Sequence, residues 1–278
     1  MTRKTTLSRV GREAVSAMVG LYYKWQSARK DFFDAVRNLV YRIENNIPPH
    51  QPVPKQEIDK KGEYTDQVLF KKLEKIKEKA NEHDQKYIER LIKVGTHLKK
   101  LESETRNICL DFVEKTDIWE HFLKDIKGIG PILAAGIIRY FDPTKTKHAS
   151  SFWRYAGLHV ENGKSPRREK GTKTNFNPRA RTLCWVIADT FIKTKSPYSE
   201  IYRKEVERQL KKEYPKGYLH KLYPKIYKES DTKLKEPHAR ARARRYMVKM
   251  FLKDLWIKWR KLLGLPVDEP YSARFHRE

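Results

Sequence analysis

Apolar residues recur along most of this chain at steps of three and four, and nowhere in several runs at steps of two, which predicts helices rather than sheets. Val15, Met18, Tyr22, Trp25, Phe32, Val36, Leu39 and Ile43 fall on one helical face with Lys and Arg on the other, predicting a long amphipathic helix over about 9–46. Pro48-Pro49 ends it. Residues 47–63, where prolines 48, 49, 52 and 54 and Gly62 interleave with charges, read as an extended linker. A second long run places Leu69, Leu73, Ile76, Ala80, Tyr87, Leu91, Val94, Leu98, Leu101, Thr105, Ile108 and Phe112 at helical spacing, interrupted near Asp84. This seam suits an antiparallel hairpin with the first helix and, equally, self-association of two copies.

Beyond residue 113 the predicted helices shorten, to about 116–126, 131–140, 150–156, 177–194, 198–213 and 238–263, with an irregular basic loop at 159–181. In the last helix Val248, Phe251, Leu255, Trp259 and Leu262 share a face, and Arg244, Arg245, Lys249, Lys253 and Arg260 lie elsewhere on the cylinder. The expected fold is all-α: a long-helix, coiled-coil-like arm over 1–112, then a compact helical domain over 113–270 containing a helix-hairpin-helix.

Charge narrows the class of partner. The 278 residues carry 61 Lys and Arg against 35 Asp and Glu, a formal net charge of +26. Residues 1–127 hold 26 bases and 20 acids, whereas residues 128–278 hold 35 and 15. Such an excess points to a polyanion met mainly by the C-terminal half. No apolar stretch reaches membrane-spanning length and no signal-peptide core follows Met1, so the expected setting is the cytoplasm, at the nucleoid, with no membrane partner. Cys109 and Cys184 sit among apolar neighbours as buried thiols do, and the histidines form no metal-ligand spacing, so no cofactor is implied.

The chemistry-bearing motif is Lys127-Gly128-Ile129-Gly130-Pro131, between two apolar helices. Gly128 suits a left-handed helix end, Ile129 an apolar plug, and Gly130 a backbone that a phosphate can approach without meeting a Cβ. Pro131 fits a first helical turn, whose free amides and dipole attract anions. Downstream, residues 145–181 carry ten Lys or Arg against Glu161 and Glu169. There Arg154, Lys164, Arg167, Arg168, Lys170, Lys173, Arg179 and Arg181 are candidate phosphate contacts, and Phe176 is the candidate base contact. A third basic element opens the last helix with Arg240, Arg242, Arg244 and Arg245, some of which can pair with acids inside the fold. Backbone-directed contacts of this kind read little sequence, so double-stranded or branched DNA is the expected partner and RNA the second candidate.

The blocks Gly128-Ile129-Gly130-Pro131 through Ala134-Ala135, Phe141-Asp142-Pro143, Phe152-Trp153-Arg154-Tyr155-Ala156-Gly157-Leu158 and Asn177-Pro178-Arg179-Ala180-Arg181 resemble the C-terminal domain of the IS110/IS116/IS902 insertion-sequence transposases. The resemblance covers about residues 120–263. It implies DNA engagement, RNA engagement in members guided by a bridge RNA, a serine nucleophile in this domain, and an acidic Asp-Glu-Asp-Asp metal site in an N-terminal nuclease domain. This chain departs from the pattern twice. Its first 110 residues read as long helices with no strand run bearing an early Asp. The stretch after Leu158 holds one serine, Ser165, offset from the family's position and with no base evident in the sequence. The chain therefore reads as a transposase-derived binder with no assigned catalytic residue, its arm serving assembly or a homodimer. The alternatives are a strand-cleaving recombinase component and an RNA-binding scaffold.

Overall fold

The computed structural model describes residues 9–48, 50–53, 64–168 and 171–267. Their regular structure is helical: α1 (Arg9–Glu44), α2 (Asp66–Lys79), α3 (Glu82–Val113), a π-helical turn (Trp119–Leu123), α4 (Pro131–Tyr140), a 3-10 turn (Pro143–Lys145), α5 (Ala149–Tyr155), α6 (Pro178–Lys193), α7 (Tyr198–Lys211), α8 (Tyr218–Leu222) and α9 (Glu236–Leu262). Among the described residues, extended pairing is confined to the isolated bridges Glu161–Lys164 and Glu213–Lys233. The protein is all-α, and its chain divides into two compact units: Ala17–Cys109, and the residues up to Ser16 together with those from Leu110 onward.

In the Ala17–Cys109 unit, Phe33, Val36, Val40 and Tyr41 of α1 pack with Tyr64, Leu69 and Leu73 around α2 and with Ile88 of α3. Thr65 starts α2 by accepting the Val68 N–H, and Asn81 starts α3 by accepting the Asp84 N–H at 2.9 Å. Arg29 ties the three helices together through Asp66 and Glu102. Val36, Leu69, Leu73 and Thr105 are buried as predicted, and elsewhere the buried line runs one residue beyond the predicted one. Leu39 and Ile43 are exposed while Val40 is wholly buried, and on the part of α3 in this unit the buried positions are Ile88, Gly95, Thr105 and Cys109. Gly95 explains part of the offset, because a Cβ there would stand 2.8 Å from Phe32 and 3.0 Å from Phe70. α3 turns its smallest residue, not its longest apolar run, toward those rings. Within the described part of the predicted linker, Ile47 and Val53 pack against this core and Arg42 donates to the carbonyls of Pro48 and Gln51, while residues 50–52 are exposed. Residues 49 and 54–63 of that stretch lie outside the described residues.

In the other unit α9 is the central element. Ala239, Ala243, Met247, Val248, Phe251, Leu252, Leu255, Trp256 and Trp259 are all buried, against α7 above all and against α5 and α6. Arg260, expected outside the apolar face, is buried as well, donating to the carbonyls of Pro143, Thr146 and Pro266. α4 is enclosed from Pro131 to Ile138, and Leu183 of α6 fills the space left by Gly136. Instead of an α-helix over 116–126, the chain makes the π-turn, closed by the Lys124 N–H bonding to the Trp119 carbonyl at 3.1 Å. Ile118 and Leu123, five residues apart, are both fully buried, a spacing that an i→i+5 turn aligns and an α-turn does not.

Candidate nucleic-acid interface

The glycine bend is built by two different requirements. Gly128 has φ +100°, and a Cβ on it would meet Thr194 Oγ1 of the chain following α6 at 2.8 Å. Ile129 is buried as the plug, with its N–H bonded to the Ile126 carbonyl at 2.9 Å. Gly130 is exposed, with open space where a Cβ would stand. It caps α4 with no side-chain hydrogen bond. The amides of Ile132 and Leu133 in the first turn have no intrahelical acceptor, and the helix dipole is positive at this end. Lys127 is exposed beside the bend.

The basic loop opens with a tight turn that the composition of 159–181 concealed. Asn162 (φ 50°) and Gly163 (φ 76°) are both left-handed, and Glu161 and Lys164 exchange two backbone hydrogen bonds, as in a two-residue hairpin. Glu161 is occupied by His159 at 3.0 Å and by Asn175 at 3.1 Å. The segment 164–167, the start of α6 and the start of α9 then enclose a cavity of about 450 Å³, lined by Lys164, Ser165, Arg167, Arg181, Lys235, His238 and Arg245 among others. No carboxylate is among its described lining residues. Arg181 donates to the Pro166 carbonyl at 2.5 Å and to Ser165 Oγ at 3.2 Å, with its guanidinium 5.0 Å from the centre of the Phe176 ring.

The titration of the cations records this crowding. Burial lowers the pKa of Arg181, and Arg167 lowers it further. Burial lowers that of Arg245 first, and the neighbouring Arg242 and Arg181 add to it. Lys249, its ammonium 4.7 Å from the centre of the Trp153 ring, is lowered by burial and by Arg245. His238 is pushed down to about 4 by burial, then by Arg242, Arg245 and Arg167. Tyr227 Oη accepts the Lys235 N–H at 3.1 Å and is hydrogen-bonded to Nδ1 of the neutral His238, 2.9 Å away.

The candidate residues thus fall in separate places. Lys164, Arg167, Arg181 and Arg245 share the cavity; Arg242, which bonds Tyr214 Oη at 2.7 Å, borders a second cavity that also touches Ser165 and Arg245. Arg240 pairs with Glu236, and Arg244 lies 3.9 Å from Asp189 and 5.7 Å from the centre of the Trp185 ring. Arg154, Arg168, Lys173 and Arg179 are exposed and do not line the cavity, and Lys170 lies outside the described residues. Phe176 is not a base platform: it is buried, under Arg181 and against Gly157. The bend is near the C-terminal end of α6 and Arg181 near its start, about 20 Å away for 13 residues of helix-like rise. No single phosphate bridges them.

Lys235 and His238 also line the cationic cavity and Lys249 borders the second one, although none of the three is among the contacts expected from the sequence. A signal existed, since His238, Arg242, Arg245 and Lys249 follow steps of four, three and four and so share one face of α9. Both cysteines are free, and burial raises their pKa, Cys109 to about 11 and Cys184 to about 12. Among the described residues no three His, Cys, Asp or Glu side chains group together, and no helix is long and apolar enough to cross a membrane.

No curated protein and no solved structure matches the chain. A family model does match it, over a stretch holding the bend, α4, α5, the basic loop and α6 but not the cations of α9. Residues 120–203 of this chain match the transposase IS116/IS110/IS902 family.

Proposed function

We propose that this is a transposase-derived protein that binds nucleic acid, double-stranded or branched DNA by preference, with little regard for base sequence. One observation carries the reading: Lys164, Arg167, Arg181, Lys235 and Arg245 are drawn from separate segments into one cavity with no carboxylate among its described lining. Lys164, Arg167 and Lys235 stay exposed, whereas Arg181 and Arg245 are partly desolvated beside like charges, which costs free energy that an entering phosphate oxyanion offsets. The glycine bend supports a second contact, made by backbone donors at an uncapped helix start, and its helix-hairpin-helix reading belongs to this proposal. About 20 Å of α6 separates the two points, roughly six base pairs of duplex rise, so an extended polyanion fits and a small anion does not reach both.

Fluorescence anisotropy with duplex DNA, branched DNA and duplex RNA at several salt concentrations tests this. Affinity falls steeply with salt, and Arg181→Met with Arg245→Met flattens the plot of log affinity against log salt by about two units. An unchanged slope removes the cavity from the interface, and tighter binding of RNA overturns the choice of DNA.

A second reading, strand cleavage through Ser165, draws on the placement of that hydroxyl. It accepts from Arg181 inside the cavity that also contains the neutral His238. Nicking of supercoiled DNA with Mg²⁺ or Mn²⁺ that disappears in Ser165→Ala supports it; nicking that persists in the variant, or none in either protein, rejects it.

A further inference from the structure

Along α3 the large apolar side chains left exposed are Tyr87, Val94, Leu101 and Ile108. Each is seven residues from the next. Seven residues fall only about 20° short of two helical turns, so the four form a nearly straight line about 32 Å long. Leu91 and Leu98, half-buried, stand four residues after the first two and complete the alternation of four and three by which one helix receives another. The unit's own helices do not fill this line. They take the neighbouring one, where Ile88, Gly95 and Cys109 are buried and Glu102 holds Arg29.

The outer edge of the line says what covers it. Three residues after Tyr87, Val94 and Leu101 stand Arg90, His97 and Glu104, all exposed. A second α3 running antiparallel, with Val94 opposite Leu101 and Tyr87 opposite Ile108, brings Arg90 against Glu104 at two equivalent places. His97 then lies at the two-fold axis. A parallel partner gains neither ion pair and lays the basic stretch Lys86, Arg90 and Lys93 beside its own copy. Glu104 is available for exchange, since its present contact is an exposed one with Lys100 at 3.7 Å.

We propose that this chain pairs with a second copy of itself through α3, antiparallel, with Val94 facing the partner's Leu101 and Arg90 facing the partner's Glu104. The interface is isologous, as a two-fold axis requires. It does not rest on the nucleic-acid reading, and it is tested without nucleic acid.

Light scattering on the full chain gives a mass of twice 33.1 kDa at high micromolar concentration. Val94→Asp with Leu101→Asp gives a monomer whose far-ultraviolet circular dichroism is unchanged. Arg90→Glu weakens pairing roughly tenfold, and adding Glu104→Arg restores it, a rescue that a merely misfolded variant does not show. Orientation is read by oxidation, because the native thiols are buried. Tyr87→Cys and Ile108→Cys proteins form a disulfide when mixed and none alone, whereas His97→Cys forms one alone. A monomeric wild type, or a disulfide within the Tyr87→Cys protein alone, overturns the proposal.

Discussion

Arg181 and Ser165, sixteen residues apart, meet through a hydrogen bond of 3.2 Å from Nη2 to Oγ, while Nη1 of the same guanidinium donates to the Pro166 carbonyl. One arginine therefore folds the loop down over the cavity and still keeps donors of its planar fork for an anion. The loop and the charge cluster are a single device.

Arg245 faces Arg181 and Arg242 without a carboxylate partner among the described residues, and burial lowers its pKa. Arg245→Met should therefore leave the melting temperature unchanged or raise it, since it removes a partly desolvated like charge. The same variant should bind DNA more weakly and lower the salt slope by about one unit. A fall in melting temperature equal to that of a core substitution would make Arg245 structural.

Protonation of His238 gives the folded protein a pH dependence of definite sign. Its pKa of about 4 lies below the ordinary 6.5, so between these values the unfolded chain binds a proton that the folded chain does not. Stability should rise with pH across that window and level off above it, and His238→Asn should flatten the rise. If the cavity takes a phosphate, the anion favours the protonated ring. DNA affinity should therefore increase as pH falls through the same window, more in the wild type than in the variant.

Much of the helical framework was legible because long helices repeat their pattern several times: α1, α4, α6 and α9 begin and end within about two residues of the expectation. What escaped were features set by a single contact. Nothing in the period of α3 announces that Phe32 and Phe70 leave room only for Gly95, so the expected line runs one residue early at Tyr87, Val94 and Ile108, although Thr105 is buried as expected. The basic loop looked uniform, although Asn162-Gly163 is a turn signature that divides it. The cations of α9 looked equivalent, although helical spacing puts Arg242 and Arg245 with His238 while Arg240 and Arg244 meet acids. In the loop and in α9 the order and spacing of residues decide what composition alone does not.

The two glycines of the bend should respond oppositely. Gly128→Ala forces a Cβ into a left-handed conformation 2.8 Å from Thr194 Oγ1 and should cost about 1–3 kcal/mol of stability. Gly130→Leu meets open space and should leave unfolding in urea unchanged. If the first-turn amides of α4 hold a phosphate, the leucine should nonetheless weaken binding to every duplex sequence alike. Wild-type affinity in Gly130→Leu would reduce the bend to a helix cap.

Arg260 is the buried arginine that has carbonyls instead of acids for company. It donates from Nε to Pro266 at 2.7 Å and from Nη1 to Pro143 and Thr146, each at 2.8 Å, fastening the end of α9 to the 3-10 turn and to the chain that follows. Arg260→Met keeps most of the volume but strands three carbonyl oxygens, and should cost about 2–4 kcal/mol in urea unfolding. Arg260→Lys should recover little, because one ammonium cannot reach along the directions that the planar fork spans. DNA affinity measured well below the melting temperature should be unchanged in both variants, since Arg260 does not line the cationic cavity. A parallel loss of stability and affinity would instead place the end of α9 within the binding surface.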